Sequence, residues 1–364
     1  IEHRQTADVT QCLKLITRPG SERVIRYAFE YARTYGRHKV TCMIKDNIMK
    51  ITDGLFHRVF DEIATEYPEI DAEQQIIDIG TARVATEPER YDVIVLPNLY
   101  GDILSDVVAE VSGSVGMAGS ANIGKNVAMF EAIHGSAPDI AGRDIANPSG
   151  LLNAAVLMLV HIGHQVVAER IHDAWLRTIE DGVHTPEIYR EGHSSRIVGT
   201  QAFAEAVIER IGSRRRRLKG WHVDESRDVR ISIPDYRRPT VEKSLVGVDI
   251  FVDWTATDDD VSGADGLVAS RFGSELAAAA GDSLKLKMIT NRGVKVFPDG
   301  FPETTLTDHW RCRFVHPEST GGGSPAGYPG IDQHDIVQAL GNLTNAGYDV
   351  IKTENLYTFD GELG

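Results

Sequence analysis

Apolar residues recur along the first part of the chain in two periods, one typical of helices and one typical of strands. A helical period runs through residues 21–36, where Ser21 is a plausible N-cap and Gly36 a stop signal. Short β-type runs follow, at 39–44, 74–79 and 92–97. This alternation of helices and apolar strands predicts an α/β architecture.

Two glycine-rich stretches interrupt the alternation. Residues 113–124 are predicted to be weakly structured, and 134–148 form a loop dense in Gly, Pro and Asp. The first stretch is not a G-x-G-x-x-G motif between a strand and a helix, so a Rossmann nucleotide site has no support there. Long helices are predicted across 149–180 and 200–212.

A basic run at 213–220 opens a stretch rich in Pro and Arg. A phosphate-binding patch would explain the run, but a solvated linker is favoured by the composition that follows. The chain is therefore divided into a domain at 1–212, a linker at 213–243 and a second domain at 244–364.

The second domain has strand-like and helical segments in the order βαββ(β)αβ, which predicts a small α+β fold of ferredoxin-like type. Two of its segments are predicted to be exposed and irregular, the acidic TDDD at 257–260 and the loop GGGSPAGYPG at 321–330. No cluster of titratable residues in this domain looks catalytic.

Composition excludes several classes of function. The formal charge of −15 argues against a general affinity for nucleic acid or for an anionic membrane. Three scattered cysteines fit a reducing compartment and offer neither a disulfide framework nor a thiolate zinc site.

With no transmembrane or signal segment in the sequence, a cytoplasmic location is expected. Because the chain opens at IEHRQT without a Met, we expect it to be part of a longer protein.

The stretch NLYGDILSD at 98–106 is the first chemical candidate. It follows a strand-like run and opens an apolar-periodic segment, so Asp102 and Asp106 would share one face of a helix. Like charges at this spacing repel unless a cation lies between them. From the spacing alone, two solvated acids near a helix N-terminus are the simpler explanation.

Four further residues are candidates. Lys45 ends a predicted strand, where ligands bind in α/β sheets, and Asn47 follows at the expected start of a helix. Asp78 is an acid among isoleucines in a predicted strand, and His134 opens the HGSAP loop. Taken singly, each is also explained as an ordinary surface, strand-face or turn residue.

Together these stretches resemble one family. In chain order, IEHRQT, KDNIMKITDG, NLYGDILSD, SANIG and HGSAPDIAGRDIANP are similar to motifs of the metal-dependent β-decarboxylating dehydrogenases, which include isocitrate, isopropylmalate and homoisocitrate dehydrogenases. VGVDIFV, LKLKMITNRG, DHWRCRF and FDGELG resemble the C-terminal extension of a bacterial subgroup of isocitrate dehydrogenases. The resemblance implies an α/β, isopropylmalate/isocitrate dehydrogenase-like fold, which is not a Rossmann fold, followed by the ferredoxin-like domain.

The resemblance also implies roles for single residues. Asp102 and Asp106 would bind Mg²⁺ or Mn²⁺ together with Asp78 of a neighbouring subunit, since hard divalent cations prefer oxygen ligands. Lys45 would be the catalytic lysine, also delivered across the subunit interface, and Asn47 would lie near the nicotinamide. The positions that match the adenosine-binding loop are His134, Gly135, Ala137 and Asn147.

The pair that follows HGSAP predicts the cofactor. NADP-dependent members of the family carry Lys-Tyr there and bind the 2′-phosphate with it, whereas this chain has Asp139 and Ile140. A carboxylate can accept hydrogen bonds from a ribose 2′-hydroxyl and would repel a phosphate, so NAD is expected. Tyr189 and Arg190 lie near positions of further phosphate contacts in NADP-dependent members, and they argue the other way.

The expected function is therefore NAD-dependent oxidative decarboxylation of isocitrate, by a homodimer or larger homo-oligomer with shared active sites. A dehydrogenase for another 3-substituted malate, such as isopropylmalate or homoisocitrate, and a catalytically silent regulatory subunit are the alternatives. The family's substrate-binding arginines and catalytic tyrosine are expected upstream of the IEH motif.

Overall fold

The computed structural model describes residues 1–220, 231–256, 265–301, 303–320 and 327–364. Within these ranges the chain forms two compact units. One comprises Ile16–Tyr236, and the other joins Ile1–Leu15 to Arg237–Gly364. Three predicted segments lie wholly or partly outside the described residues: the acidic tip at 257–260, residues 321–326 of the irregular loop and residues 221–230 of the linker.

The α-helices of the described residues are, in chain order, α1 (Arg18–Thr34), α2 (Thr52–Ala64), α3 (Ile77–Thr86), α4 (Asn98–Val111), α5 (Ser149–His161), α6 (Gln165–Glu180), α7 (Thr200–Glu209), α8 (Asp265–Ala280) and α9 (Gln333–Asn345). The strands are β1 (Glu2–Arg4), β2 (Thr10–Cys12), β3 (Lys39–Ile44), β4 (Asp71–Ile76), β5 (Val93–Val95), β6 (Gly119–Ile123), β7 (Ala128–Ala132), β8 (Val183–His184), β9 (Arg196–Ile197), β10 (Lys243–Asp253), β11 (Lys285–Asn291), β12 (Val294–Phe297), β13 (His309–Val315), β14 (Asp349–Phe359) and β15 (Glu362–Leu363). Among the described residues, no helix has the length and apolar character that crossing a membrane requires.

The Ile16–Tyr236 unit is built on a three-stranded parallel sheet in the order β4-β3-β5. β3 lies in the middle, where Cys42 pairs with both Gln74 and Val95. α1 and α2 pack on the sheet through a core that includes Phe29 and Phe60. Because helices cover it, β3 is apolar nearly throughout, as buried parallel strands are. Parallel strands with covering helices confirm the α/β prediction.

The first helix starts earlier than its predicted N-cap. Ser21 is buried inside α1, and the cap is Thr17, whose side chain accepts a hydrogen bond from the Gly20 amide at 3.2 Å. Pro19 lies in the first turn of α1. Backbone N–H groups there have no intrahelical acceptor, so a proline, which lacks the N–H, costs no hydrogen bond. The predicted cap is therefore wrong, and the helix begins one turn earlier, at the threonine that precedes Arg18 and Pro19.

Residues 113–124, predicted to be weakly structured, contain a strand. β6 forms an antiparallel pair with β7, and both pack on α5. A Cβ at Gly119 would lie only 2.4 Å from the amide nitrogen of Ala154, so the glycine is what lets strand and helix touch. α6 and α7 pack beside α5 around Trp175 and Phe203.

The second unit contains a six-stranded antiparallel sheet in the order β12-β11-β13-β10-β14-β15. α8 and α9 cover one face through a core that includes Phe272, Trp310, Phe314 and Leu343. The strand and helix order confirms the predicted ferredoxin-like α+β fold. The first residues of the chain join this unit as the β1–β2 hairpin.

Asp308 fixes the β1–β2 hairpin to this unit. Its Oδ1 accepts a hydrogen bond from the Thr6 hydroxyl at 2.6 Å, and its Oδ2 accepts one from the Asp8 amide at 3.3 Å. Lys352 of β14 donates to Gln11 Oε1 at 2.5 Å. The hairpin is thus held by polar contacts at its turn and along its second strand.

A buried charge lies at the centre of the same sheet. Asp249 of β10 is fully buried, and its carboxylate accepts hydrogen bonds from the guanidinium groups of Arg311 and Arg313 on the neighbouring β13. The hydrogen bond from Arg313 to Asp249 raises the pKa of that arginine. A buried carboxylate needs such partners, because losing water costs it several kcal/mol otherwise.

Replacing Asp249 by Ala should destabilise the second unit by about 3 kcal/mol, because Arg311 and Arg313 would lose their shared counter-ion inside the sheet. Urea denaturation followed by circular dichroism measures the effect. Glu354 lies opposite Asp249 on β14 but is 45% exposed, so Glu354→Ala should cost less than about 1 kcal/mol. Equal losses in the two variants would contradict a special role for Asp249.

Candidate active site

Three predicted site residues follow the three strands of the parallel sheet. Lys45 comes directly after β3, Asp78 lies in the first turn of α3 after β4, and Asp102 lies on α4 after β5. Parallel strands end at one edge of a sheet, and ligands of open α/β sheets bind at that edge. The topology therefore places the catalytic candidate and the metal candidates at the same edge.

Two local predictions at this edge are wrong. Asp78 is not in a strand, because β4 ends at Ile76 and α3 begins one residue later. The flanking isoleucines are typical of a strand, but an acid in the first turn of a helix is favoured by the macrodipole. Asn47 does not start a helix either. It is an exposed turn residue, and α2 begins only at Thr52.

Lys45 and Asp78 form an ion pair within one chain. The Lys45 Nζ donates to Asp78 Oδ2 at 2.8 Å. The parallel register of β3 and β4, which pairs Ile44 with Ile76, brings the two side chains together. The hydrogen bond from Lys45 lowers the pKa of Asp78. The carboxylate is 65% exposed, so it remains accessible to a further cation.

The two acids of α4 lie on a face of the helix that is open in the single chain. Asp102 and Asp106 are exposed, one helical turn apart. The same face carries Leu99 and Ile103, which are 60% and 57% exposed. The other side of α4, with Leu104, packs against α3. The acids thus project from a surface that is partly apolar.

Asp53 connects the lysine and the acid-bearing helix. It lies in the first turn of α2 and is fully buried. Its Oδ2 accepts a hydrogen bond from the Lys45 backbone amide at 2.9 Å and another from the Tyr100 hydroxyl at 2.8 Å. Tyr100 lies on α4 beside the Asp102 turn. Asp53 did not stand out in the sequence, because an acid in the first turn of a helix is common for electrostatic reasons alone.

The donors at this edge suit a hard divalent cation. Asp102 and Asp106 offer exposed carboxylate oxygens one turn apart, the ligand type that Mg²⁺ and Mn²⁺ prefer. Among the described residues of one chain, no three His, Cys, Asp or Glu side chains converge to hold a metal ion. The carboxylates of α4 are suitable in type and spacing as two ligands of such an ion.

The predicted adenosine-binding loop has a strained backbone at one residue. His134 and Gly135 are exposed, and Ala137 has φ of 42°, in the left-handed region that residues with a Cβ rarely adopt. Such conformations cluster at ligand-binding loops. Asp139 and Ile140 follow in a single turn of 3₁₀-helix, where Asp139 is exposed.

The far end of that loop is anchored by Asn147. Its side chain is buried, its Oδ1 accepts a hydrogen bond from the Ser149 amide at 3.0 Å, and its Nδ2 donates to Glu187 Oε1 at 2.6 Å. Thr185 also donates to Glu187 at 2.8 Å. Asn147 thus ties the loop to the segment that precedes Tyr189.

A large cavity in the Ile16–Tyr236 unit does not coincide with these residues. It has a volume of about 1000 Å³ and is lined by aromatic side chains that include Tyr27, Tyr31 and Trp175. None of the predicted site residues is among those that line it. The position of the candidate site therefore follows from the strand ends, not from cavity size.

Two protein-family models match the chain. The model of isocitrate/isopropylmalate dehydrogenase matches residues 1–207. The model of the bacterial isocitrate dehydrogenase C-terminal domain matches residues 243–364. The two matches cover the segments that carry the candidate site and the ferredoxin-like fold.

Individual relatives agree with the family models. A protein of Rickettsia felis named isocitrate dehydrogenase (NADP) is 51% identical over the whole chain and 72% of its own length. The crystal structure of the TT0538 protein from Thermus thermophilus matches all of this chain and 69% of that chain, with a TM-score of 0.85 and 37% identity. Subunit 2 of a mitochondrial isocitrate dehydrogenase (NAD) of Saccharomyces cerevisiae is 50% identical over 58% of this chain and 57% of its own.

These relatives overturn the prediction of an NAD-dependent enzyme. The Rickettsia proteins that match the whole chain are named for NADP, whereas the yeast protein named for NAD matches 58% of it. Asp139 was expected to repel a phosphate. It is an exposed residue, however, and water and salt screen an exposed charge, so its repulsion does not decide the cofactor. Tyr189 and Arg190 argued for NADP, the cofactor for which these relatives are named.

Replacing Lys45 by Met should raise the pKa of Asp78 towards its ordinary value, because the carboxylate loses both a hydrogen bond and a neighbouring positive charge. NMR titration of ¹³C-labelled Asp carboxyl groups through the acidic range measures the change. Lys50→Met, in the same segment between β3 and α2, should leave the pKa of Asp78 as in the wild type. Identical titration of Asp78 in wild type and Lys45→Met would contradict the contact.

Proposed function

The chain belongs to the isocitrate/isopropylmalate dehydrogenase family, and from this premise we propose that it oxidises and decarboxylates isocitrate to 2-oxoglutarate with NADP and a divalent metal ion. The observation that carries the proposal is the 51% identity, over the whole chain, to a relative named isocitrate dehydrogenase (NADP). The match to the bacterial isocitrate dehydrogenase C-terminal domain favours isocitrate over isopropylmalate. The division into 1–212, 213–243 and 244–364 is part of the proposal.

Asp102 and Asp106 hold the metal ion in this proposal, with Asp78 of a second subunit as a further ligand. Their carboxylates supply hard, negatively charged oxygens on an exposed face. When bound, a divalent ion supplies Lewis acidity to the reacting oxygen of the substrate. Lys45, held at 2.8 Å from Asp78, moves a proton to or from the substrate.

We propose that the loop at 134–148 binds the adenosine half of NADP through His134, Gly135, Ala137 and Asn147, and that Asn47 lies near the nicotinamide. Asp139 and Ile140 follow in the same loop. Tyr189 and Arg190 are the candidates for the 2′-phosphate. A guanidinium group matches a phosphate in charge and in hydrogen-bond geometry, which supports Arg190.

We propose further that two copies of the chain share each active site. The acids of α4 and the Lys45–Asp78 pair are two half-sites, and no metal-holding trio converges within the described part of one chain. Large apolar side chains are exposed beside both half-sites, and such a surface supports the proposal that a second chain covers it. They are Ile48 at 69% exposure, Ile79 at 48%, Leu99 at 60% and Ile103 at 57%.

The protein should reduce NADP with isocitrate and Mn²⁺ and release one CO₂ per NADPH, measured by absorbance and by CO₂ capture. Asp102→Asn should lower metal-supported turnover by about a hundredfold or more, because an amide oxygen replaces a charged ligand. Asp61→Asn removes an exposed acid of α2 outside the site and should leave turnover as in the wild type. Faster turnover with isopropylmalate, or with NAD in place of NADP, would contradict the proposal.

A shared site predicts that two inactive variants restore each other. Lys45→Met and Asp102→Asn should each be inactive, yet a mixed dimer has one site with Lys45 from one chain and Asp102 from the other. Co-expression should restore about a quarter of wild-type turnover, since random pairing makes about half the dimers mixed and each has one intact site.

The control for this experiment pairs Lys45→Met with Asp78→Asn. Both changes fall in the same half-site, so no mixed dimer contains an intact site, and turnover should stay at the level of the single variants. Restoration in this control as well, or in neither pair, would contradict a site built from two chains.

A further inference from the structure

Asp53 lies at the junction of three elements that carry or border the candidate site. Lys45 follows β3, Asp53 belongs to α2, and Tyr100 belongs to α4. A single oxygen, Asp53 Oδ2, accepts hydrogen bonds from the Lys45 amide at 2.9 Å and from the Tyr100 hydroxyl at 2.8 Å. The first donor belongs to Lys45 itself, and the second precedes Asp102 by two residues on α4. The proposed function gives Lys45 and Asp102 chemical roles.

The burial of Asp53 is difficult to explain by stability alone. The residue is fully buried, and an acid in that position loses its hydration on folding. Hydrogen bonds from an amide and a phenol offset this loss, whereas a well-packed apolar side chain of similar volume avoids it. An apolar side chain accepts no hydrogen bonds, so it cannot hold the Lys45 amide and the Tyr100 hydroxyl in fixed orientations. The Asp53 carboxylate holds both.

We propose that Asp53 is a positioning residue of the active site, which acts through Lys45 and Tyr100 and touches neither substrate nor metal. Its hydrogen bond with the Lys45 amide fixes the backbone directly after β3. That backbone sets the position from which the Lys45 side chain extends. Through the hydroxyl, Asp53 fixes the first turn of α4, and with it Asp102. The inference rests on the proposed function, in which Lys45 moves a proton and Asp102 binds the metal.

Tyr100→Phe tests the α4 contact alone, because it removes the hydroxyl and keeps the ring. The dissociation constant for Mn²⁺, measured from free Mn²⁺ by electron paramagnetic resonance, should rise by about tenfold, as when groups that orient metal ligands are removed. Turnover at saturating Mn²⁺ should stay within about twofold of the wild type, because Lys45 keeps its contact with Asp53.

Asp53→Ala removes both contacts. It should weaken Mn²⁺ binding as Tyr100→Phe does and, in addition, lower kcat at saturating Mn²⁺. Backbone hydrogen exchange at Lys45 should become faster in Asp53→Ala and remain slow in Tyr100→Phe. If Asp53→Ala does not fold, the Tyr100→Phe measurements still decide the inference.

Tyr91→Phe is the matched control for Tyr100→Phe. The Tyr91 hydroxyl donates to Gln75 Oε1 at 2.9 Å, so the control loses a tyrosine hydrogen bond of the same kind, one that joins neither Asp53 nor α4. Mn²⁺ affinity should be as in the wild type. Equal Mn²⁺ affinities in the two tyrosine variants, or unchanged exchange at Lys45 in Asp53→Ala, would overturn the positioning role.

The wild-type measurements separate this inference from the proposed function. A wild type that neither binds Mn²⁺ nor turns over isocitrate would overturn the proposed function and the positioning role with it. A wild type that does both, combined with a Tyr100→Phe variant that behaves like Tyr91→Phe, would overturn the positioning role alone.

Discussion

The parallel pairing of β3 with β4 and β5 is the constraint on which the candidate site depends. It brings Lys45, the start of α3 and the start of α4 to one edge of a small sheet. A slip of one residue between β3 and β4 would displace Lys45 from Asp78 by about 3.3 Å, more than a hydrogen bond tolerates. The register is held by burial, since β3 is covered by α1 and α2 along its length. The chemistry of the edge is therefore set by the packing of the apolar strand behind it.

Sequence patterns predicted what depends on neighbours along the chain and failed where distant segments meet. The α4 acids and the ferredoxin-like order could be predicted, because period and motif are local properties. The strand at Gly119 could not, since this glycine serves a contact with α5 that no local pattern encodes. Asp53 is the clearest case: its partner Tyr100 is far away in the sequence, and only the fold brings the two together. The prediction of NAD failed because it relied on the charge of Asp139, whose exposure the sequence does not reveal.

Asp249 and Asp53 are fully buried acids of different units. Asp249 is paired with two arginines, so its charge is balanced inside the sheet. Asp53 accepts hydrogen bonds from an amide and a phenol, which are donors without a full positive charge. The first arrangement is typical of a structural ion pair that resists unfolding. The two hydrogen bonds of Asp53 join separate segments of the chain, which suits a residue that orients its neighbours.

The apolar surface around Asp102 and Asp106 has a thermodynamic consequence. In the proposed dimer, Leu99 and Ile103 become buried in the same event that completes the ligands of the ion. Subunit association and cation uptake are then linked equilibria, and each must strengthen the other by the same factor. Diluting the protein would thus separate the chains and, by removing part of the ligand set, release the ion. Abundant ion, in turn, would hold the chains together at concentrations where their apolar contact alone is too weak.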